Sequence, residues 1–315
     1  MRPTAAGTSC QVCGGSCLPL FSTVDVNRRV TREVFHYRRC GACGVVVLEN
    51  RPSNLRAYYG NGYFAEPRSV AELERFGRRE QPKLDIVQTF VEGGRLLEVG
   101  PGMGSFAWLA TRAGFAVDVI EQDERACRFL EDVVGVAVTR TSHPELVLAA
   151  SRERYDVVTL WHVIEHLEDP WDTLTQSLRA LRDDGILIVA TPNPEAWQFQ
   201  RLGARWPHVD APRHLWLIPL DALRRHVEHA GAPLAWATTD DPEGKAWNCF
   251  GWSQWLRNLA PTGLGNALAV RLASRVAGAA VAQALRPWES ADMNGSAYTA
   301  AFRKTSPDAL AGSRA

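Results

Sequence analysis

The sequence has no excess of charge of either sign, because 35 Lys and Arg residues balance 35 Asp and Glu residues. No global positive field is therefore available to concentrate nucleic acid or anionic lipid around the protein. The N-terminal residues lack the apolar stretch of a secretory signal, and no run of about 18 uncharged apolar residues occurs along the chain. We therefore expect a cytoplasmic protein without a membrane-spanning segment.

Cysteine is scarce outside the N-terminal region, where five of the seven cysteines lie within the first 43 residues. Cys10 and Cys13 form one C-x-x-C pair, Cys40 and Cys43 form a second, and a glycine follows each pair. In a cytosolic chain such pairs favour metal binding over disulfides, although free thiols or a redox pair are the alternative. Four thiolates fit a closed tetrahedral site, so we predict a structural zinc ion, with Cys17 as a bystander.

From residue 83 onward, apolar segments with little alternation are separated by helical segments of about ten residues. This pattern is typical of a parallel sheet covered on both faces, so we predict an α/β fold with a Rossmann-like doubly wound sheet. The predicted domains are a zinc ribbon, a connector or lid, a larger α/β domain with a helical Trp-rich insertion before its last strand, and a flexible tail. Their respective ranges are 1–50, 51–82, 83–305 with the insertion at 241–290, and 306–315.

The run L-L-E-V-G-P-G-M-G-S at residues 96–105 leads from a strand through a glycine turn into a helix. Glycines let a ligand approach the backbone, and a helix N-terminus offers unpaired amides. Gly104 follows Gly102 by two residues, whereas a dinucleotide fingerprint requires three, so the spacing disfavours NAD. Glu121 lies 21 residues after Gly100, at the end of the next strand, where its carboxylate can accept ribose hydroxyls.

These segments together resemble the class I S-adenosylmethionine methyltransferases. The resemblance rests on E-V-G-P-G-x-G-S, on V-I-E at 119–121, on Y-D-V-V at 155–158 and on H-V-I-E-H-L-E-D-P at 162–170, and it covers roughly residues 83–240. It implies an S-adenosylmethionine cofactor held by residues along the strand ends. By this resemblance, the methionine part is surrounded by Glu98, Gly100, Gly102 and Gly104, the ribose by Glu121, the adenine edge by Thr141 or Ser142, and the sulfonium by Trp161 and His162.

Trp161 has two possible roles. Its ring face could attract the sulfonium through a cation–π interaction, or the side chain could simply pack as an aromatic residue at the end of a strand. The sequence favours neither role.

Histidines cluster after the strand that ends at Trp161. His162, Glu165 and His166 have i, i+3 and i+4 spacing, so a helix would place them on one face at the carboxyl ends of the strands. We predict His162, His166 and His214 as catalytic residues, with His162 or His214 as the general base. Ubiquinone-pathway O-methyltransferases and small-RNA 2′-O-methyltransferases have a similar turn that binds a divalent ion, but His162 replaces the first acid here, so no second metal is predicted.

The Trp-rich insertion contains a helical segment with two distinct ridges. One ridge is apolar and the other carries Arg271 and Arg275, which indicates an amphipathic surface rather than a membrane span. The segment is expected to be a lid packed on the core; the alternatives are an acceptor pocket for an aromatic or lipophilic molecule and a dimer contact. The apolar ridge consists of Leu264, Leu268, Leu272, Val276 and Ala280.

The function predicted from these features is methyl transfer to a small-molecule acceptor, with oxygen favoured over nitrogen or carbon. Zinc-ribbon methyltransferases that resemble this chain act on sugars and natural products, which points to secondary metabolism. One alternative is an RNA methyltransferase whose ribbon docks nucleic acid, supported by Arg28, Arg29, Arg32, Arg38 and Arg39 but disfavoured by the neutral charge. The other alternative is an adenosyl-binding module without catalytic activity. The oligomeric state stays open.

Overall fold

The computed structural model describes residues 8–59, 66–67, 69–261 and 264–305. Part of the predicted connector, at 60–65, and the predicted tail at 306–315 lie outside these residues. Two units are present, which we call the ribbon unit and the sheet unit. The ribbon unit draws on the ranges Met1–Gly60, Thr191–Leu223 and Thr238–Tyr298, and the sheet unit on Asn61–Ala190, Arg224–Ala237 and Thr299–Ala315.

The strands of the described residues belong to two sheets. In chain order they are β1 Thr8–Ser9, β2 Ser16–Thr23, β3 Phe35–Cys40, β4 Val46–Leu48, β5 Gly94–Val99, β6 Phe115–Glu121, β7 Ala137–Arg140, β8 Tyr155–Trp161, β9 Leu181–Pro192, β10 Trp216–Leu217, β11 Leu234–Thr238 and β12 Ala297–Arg303. The α-helices are α1 Val70–Gly77, α2 Gln81–Phe90, α3 Ser105–Arg112, α4 Glu124–Phe129, α5 Pro144–Ala149, α6 Pro170–Ala180, α7 Trp197–Leu202, α8 Leu220–His229, α9 Pro242–Asn258 and α10 Leu268–Glu289.

The ribbon sheet is antiparallel, with the strand order β1-β2-β3-β4-β10. The turn between β1 and β2 carries the first cysteine pair, and the turn between β3 and β4 carries the second. Pairing of Cys17 with Cys40 in neighbouring strands brings these two turns to the same end of the sheet. The late strand β10 extends the sheet through its pairing with β4, a long-range contact that has no signal in the local sequence.

The large sheet has seven strands in the order β11-β12-β9-β8-β5-β6-β7. The pairs β5–β6, β6–β7, β5–β8 and β8–β9 are parallel, as predicted from their continuous apolar runs. Residues of these strands and of the helices between them form one core that includes Leu96, Val119, Val157 and Ile188. The predicted doubly wound α/β sheet is confirmed.

Two acidic residues of the predicted motif region cap the starts of helices. Asp123 caps α4 by accepting the amide protons of Arg125 and Ala126. Asp169 caps α6 by accepting from the amide of Asp172, with Pro170 at the first helical turn. Asp169 and Pro170, which end the histidine motif, therefore initiate α6.

Candidate active site and cysteine cluster

The four cysteines of the two C-x-x-C pairs converge in the ribbon unit. The Sγ atoms of Cys10, Cys13, Cys40 and Cys43 all lie within 4.8 Å of one another. Cys10 Sγ is 3.7 Å from Cys43 Sγ, and Cys13 Sγ is 3.5 Å from Cys40 Sγ. A tetrahedral zinc ion with bonds of about 2.3 Å sets its sulfur ligands about 3.8 Å apart, so the cluster has the right size. Cys17 is buried nearby and is not one of the four.

Both cysteine turns direct backbone amides at sulfur. The amide of Val12 points at Cys10 Sγ over 3.4 Å, and the amide of Cys43 points at Cys40 Sγ over 3.5 Å. The glycine after each pair has a positive φ, 72° at Gly14 and 75° at Gly44, which lets the chain turn back at once. Amide donors of this kind stabilise thiolates, the form that binds a metal.

The strand order of the sheet unit creates a crevice at one place. From β5 the chain moves outward through β6 to β7 and then returns to the other side of β5 as β8 and β9. Ligands of open α/β sheets bind outside the carboxyl ends of the strands at such a switch point. Val99 and Trp161 are the last residues of the two strands that flank it.

The glycine loop follows β5 directly at this switch point. Gly100, Gly102 and Gly104 have φ values of 69°, 56° and 73°, a region that other residues rarely adopt. A side chain at Gly100 would overlap Val163. Gly104 is the N-cap of α3 and has no side chain that could cap the helix.

Glu98 is a carboxylic acid buried at the end of β5, with 4% of its surface exposed. Its carboxylate accepts a hydrogen bond from the backbone amide of Ala107 in α3. Within the described part of the chain, Oε2 has no hydrogen-bond partner. Burial raises the pKa of Glu98 to about 8, against the opposing charge of Lys83. An orphaned, buried carboxylate oxygen of this kind fits a cationic group of a ligand.

Glu121 ends β6 and is held by backbone donors. Oε1 accepts the amide protons of Gln122 and Asp123 over 2.8 and 2.9 Å, and Oε2 accepts that of Gly102 over 3.1 Å. Burial raises the pKa of the carboxyl, and these amides oppose the rise. The carboxylate is thus fixed against the glycine loop, with lone pairs left to accept hydroxyl groups.

Trp161 is buried in the core of the sheet unit. Its ring packs edge-on against Phe106 with centroids 5.6 Å apart, and the ammonium of Lys83 lies 5.4 Å from its centroid. Trp161 is thus packed at the end of β8, and its predicted contact with a sulfonium stays a prediction. The cation next to its ring in this structure is therefore the ammonium group of Lys83.

His162 follows β8 with a left-handed backbone, φ 54°, which is strained for a residue other than glycine. Its amide donates to the carbonyl of Ala190 over 2.9 Å. The condition for a shared helical face is not met, because Ile164–His166 forms a single 3-10 turn and His162 precedes it. Even so, His162 Nδ1 lies 3.7 Å from a carboxylate oxygen of the buried Glu165.

The remaining predicted site residues differ in burial. Ser142 is exposed, and the amide of the adjacent Thr141 donates to the backbone carbonyl of Glu121 over 3.0 Å. His214 is buried in the ribbon unit, where Nδ1 lies 2.8 Å from the carbonyl oxygen of His208. His166 is half-buried, directly after Glu165.

Comparison with known proteins agrees with this geometry. A family model described as a methyltransferase domain matches residues 71–234. The ubiquinone biosynthesis O-methyltransferase of Caulobacter vibrioides is 30% identical over 196 residues, which cover 59% of this chain and 72% of that protein. The chain belongs to the S-adenosylmethionine-dependent methyltransferase family.

Two further proteins are similar to this methyltransferase. The ubiquinone biosynthesis O-methyltransferase of Cereibacter sphaeroides is 30% identical over 171 residues, or 51% of this chain and 67% of that protein. A crystal structure of a candidate sarcosine dimethylglycine methyltransferase from Galdieria sulphuraria covers 75% of this chain and 87% of its own, with a TM-score of 0.50 and 13% identity. At that identity the likeness shows the fold alone.

S-adenosylmethionine fits the crevice of the methyltransferase, because the orphaned oxygen of Glu98 can accept from an amino-acid ammonium and the glycine loop has three positions without a side chain that would obstruct a ligand. Lys83 belongs to none of the motifs recognised in the sequence. Its ammonium forms an ion pair with Glu80 at 2.8 Å, lies over Trp161 and opposes the rise in the pKa of Glu98 that burial causes. The i, i+3 spacing of Glu80 and Lys83 signals their pairing, but nothing local connects them to the crevice.

Proposed function

We propose that this methyltransferase transfers a methyl group from S-adenosylmethionine to a hydroxyl oxygen of a small-molecule acceptor. The observation that carries the proposal is the switch-point crevice, where the orphaned Glu98 carboxylate, the glycine loop and a strained histidine meet the ends of β5 and β8. The names of the Caulobacter and Cereibacter relatives, which describe O-methylation in ubiquinone biosynthesis, support oxygen and a small acceptor.

In this proposal the binding residues divide the cofactor between them. Glu98 and the loop of Gly100, Gly102 and Gly104 border the amino-acid part, Glu121 accepts the ribose hydroxyls, and Ser142 or Thr141 borders the adenine. When bound, S-adenosylmethionine supplies an electrophilic methyl group on a sulfonium. The protein's main task is then to position the acceptor and exclude water.

His162 is the proposed general base. A hydroxyl acceptor loses its proton on methylation, and a histidine accepts one near neutral pH. Glu165, buried 3.7 Å from Nδ1, would stabilise the imidazolium that results. His166 and His214 stay candidate catalytic residues on the sequence argument alone.

Labelled S-adenosylmethionine tests this function. We expect the full chain to transfer label from the cofactor to the small-molecule fraction of a cell extract and not to the RNA fraction. His162→Ala should lower kcat by about 10²- to 10⁴-fold while the affinity for S-adenosylhomocysteine stays within about threefold. The matched control is His143→Ala, an exposed histidine that pairs with Glu145.

The outcomes separate the alternatives. Label in RNA would replace the small-molecule acceptor with a nucleic acid, and tight cofactor binding without transfer to either fraction would indicate a binding module. Full activity of His162→Ala would remove His162 as the base.

We further propose that Cys10, Cys13, Cys40 and Cys43 bind a structural zinc ion. The support is the spacing of their Sγ atoms, which suits tetrahedral thiolate ligation, and the amides that point at two of them. Metal analysis of the purified chain should give one zinc ion per molecule. Less than a tenth of that amount, in protein purified without chelator, would reject the assignment.

A further inference from the structure

The helix α10 of the ribbon unit turns an apolar face to solvent. Leu268, Leu272 and Val276 are 69%, 52% and 73% exposed, and Leu264 just before the helix is 56% exposed. The buried face instead carries the small residues Ser274 and Gly278. The apolar ridge identified in the sequence is therefore the uncovered side of the helix.

Small residues explain which face of α10 is buried. At Gly278 the helix approaches the Ser253 backbone of α9 so closely that a Cβ atom would overlap it. This close approach attaches α10 along α9, and the larger Leu and Val side chains are left on the opposite side. We call the surface formed by Leu264, Leu268, Leu272 and Val276 the α10 ridge.

By length and composition alone, α10 is the one helix in the described ranges that could cross a membrane, with a mean hydropathy of 1.3 over its best window. Two observations favour a position parallel to a surface. The helix carries Arg271, Arg275 and Arg286, whose burial in hydrocarbon is costly, and it packs lengthwise on α9. At 22 residues it presents a face of about 33 Å.

Arginines cluster beside the ridge. Burial lowers the pKa of Arg257 in α9, and the strongest charges that lower it further are all arginines. A guanidinium nitrogen of Arg29 donates to the carbonyl of Asn258 over 3.0 Å, which holds that arginine against the end of α9. The chain as a whole has no net charge, so this positive region is a local feature. The four arginines that act on Arg257 are Arg28, Arg29, Arg271 and Arg275.

We propose that the α10 ridge and the adjacent arginines dock on the surface of an anionic lipid bilayer. The Leu and Val side chains would enter the boundary between headgroups and acyl chains, and the guanidinium groups would contact lipid phosphates. The positive charge of the arginines is complementary to the negative charge of the lipid headgroups, which favours an anionic bilayer as the partner. A second copy of the chain would bring the same arginines towards each other, and a nucleic acid would leave the apolar ridge without a partner.

Vesicle flotation with the full chain tests the proposal. We expect the protein to float with vesicles of equal parts phosphatidylglycerol and phosphatidylcholine, and to bind vesicles of pure phosphatidylcholine at least about tenfold more weakly. Binding to the anionic vesicles should weaken as ionic strength rises, because salt screens the arginine contacts.

Two double variants separate the apolar from the electrostatic contribution. Leu272→Gln with Val276→Gln should weaken binding to anionic vesicles by about 100-fold. Arg271→Gln with Arg275→Gln should weaken it by about 30-fold and reduce the dependence on salt. All four side chains are exposed, so the circular dichroism and the affinity for S-adenosylhomocysteine should stay unchanged.

Matched controls come from the sheet unit. Leu146→Gln with Val70→Gln removes two comparably exposed apolar side chains, and Arg128→Gln with Arg154→Gln removes two exposed charges. Both controls should float as the unchanged protein does. Equal losses in the controls and in the ridge variants would overturn the proposal.

Other occupants have distinct signatures. A dimer in light scattering that Leu272→Gln with Val276→Gln dissociates, without any vesicle binding, would assign the ridge to a second copy. Salt-sensitive binding to bulk RNA without vesicle binding would assign the arginines to nucleic acid. Either result, or the absence of flotation with anionic vesicles, would overturn the proposal.

Discussion

The proposed zinc site and the proposed cofactor site use opposite parts of the chain. In the ribbon unit, four cysteine side chains converge, with their Sγ atoms within 4.8 Å of one another. In the sheet unit, three glycines with positive φ form the loop that follows β5, and the site proposed there depends on positions that carry no side chain. Binding through side chains should be lost when one ligating atom is replaced. Binding at a loop without side chains should instead be lost when a side chain is added.

Removal of one sulfur should have the largest effect. We expect Cys40→Ser to lower zinc affinity by at least about 100-fold, since four thiolates share a binding free energy of roughly 10–16 kcal/mol. Zinc content and the thermal unfolding of the full chain are the measurements. Cys17→Ser is the control, because Cys17 is equally buried but lies outside the cluster. Equal zinc loss in both variants would contradict the assignment of four ligands.

Addition of a side chain to the loop should have the next largest effect. Gly102→Asp brings a carboxylate beside Glu121, whose Oε2 accepts the Gly102 amide. Aspartate tolerates the positive φ at this position, so the fold should persist while the affinity for S-adenosylhomocysteine falls by at least about 100-fold in calorimetry.

The control for this loop variant is Gly135→Asp. Gly135 also has a positive φ, 79°, and no neighbour within 4 Å of an added Cβ. Normal cofactor affinity in Gly102→Asp would show that the ligand contacts another part of the crevice.

The parts of the fold that are predictable from sequence are those that local residue patterns determine. Continuous apolar runs predict β5, β6, β8 and β9 because strands buried on both faces require them. Amphipathicity predicts that α10 has two faces but does not tell which face is covered. The close packing of Gly278 on α9 decides that, and it depends on a partner helix that local spacing does not identify.

The candidate sites also combine features set by local sequence with features set by tertiary contacts. Cysteine spacing and glycine spacing are local, so the convergence of the four cysteines and the glycine turn after β5 could be predicted from the sequence, while the ligands of both stay predictions. The strained backbone of His162 and the position of Lys83 over Trp161 depend on tertiary contacts. Residues 162–166 do not form one helix, because His162 leaves β8 with a left-handed backbone before the 3-10 turn Ile164–His166 begins.

Glu98 is the exception in the loop region, because a side chain rather than the backbone offers the contact. Its pKa of about 8, raised by burial from an ordinary 4.5, means that the folded protein keeps a proton which the unfolded chain releases. Stability should therefore fall as pH rises between these two values, by at most roughly 5 kcal/mol, and level off above the folded pKa.

Glu98→Gln should remove this dependence. The variant should gain stability relative to the unchanged protein as pH rises from 5 to 8, in thermal unfolding at each pH. Glu131→Gln, at an exposed position in the same unit, should leave the dependence as it was. A constant difference between Glu98→Gln and the unchanged protein across this range would mean that Glu98 is ionised in the folded state.

The smallest effect is expected from replacement of Ser105, whose side chain belongs to the loop motif but is not among the proposed cofactor-binding groups. Ser105 opens α3, yet Gly104 is the N-cap, so the serine hydroxyl does not cap the helix. Ser105→Ala should change the affinity for S-adenosylhomocysteine by less than about threefold and the Tm by less than about 2 °C. A tenfold loss of affinity would mean that the Ser105 hydroxyl contributes to the proposed cofactor site. Side chains would then contribute to both proposed sites, and the two would differ only in how much they depend on them.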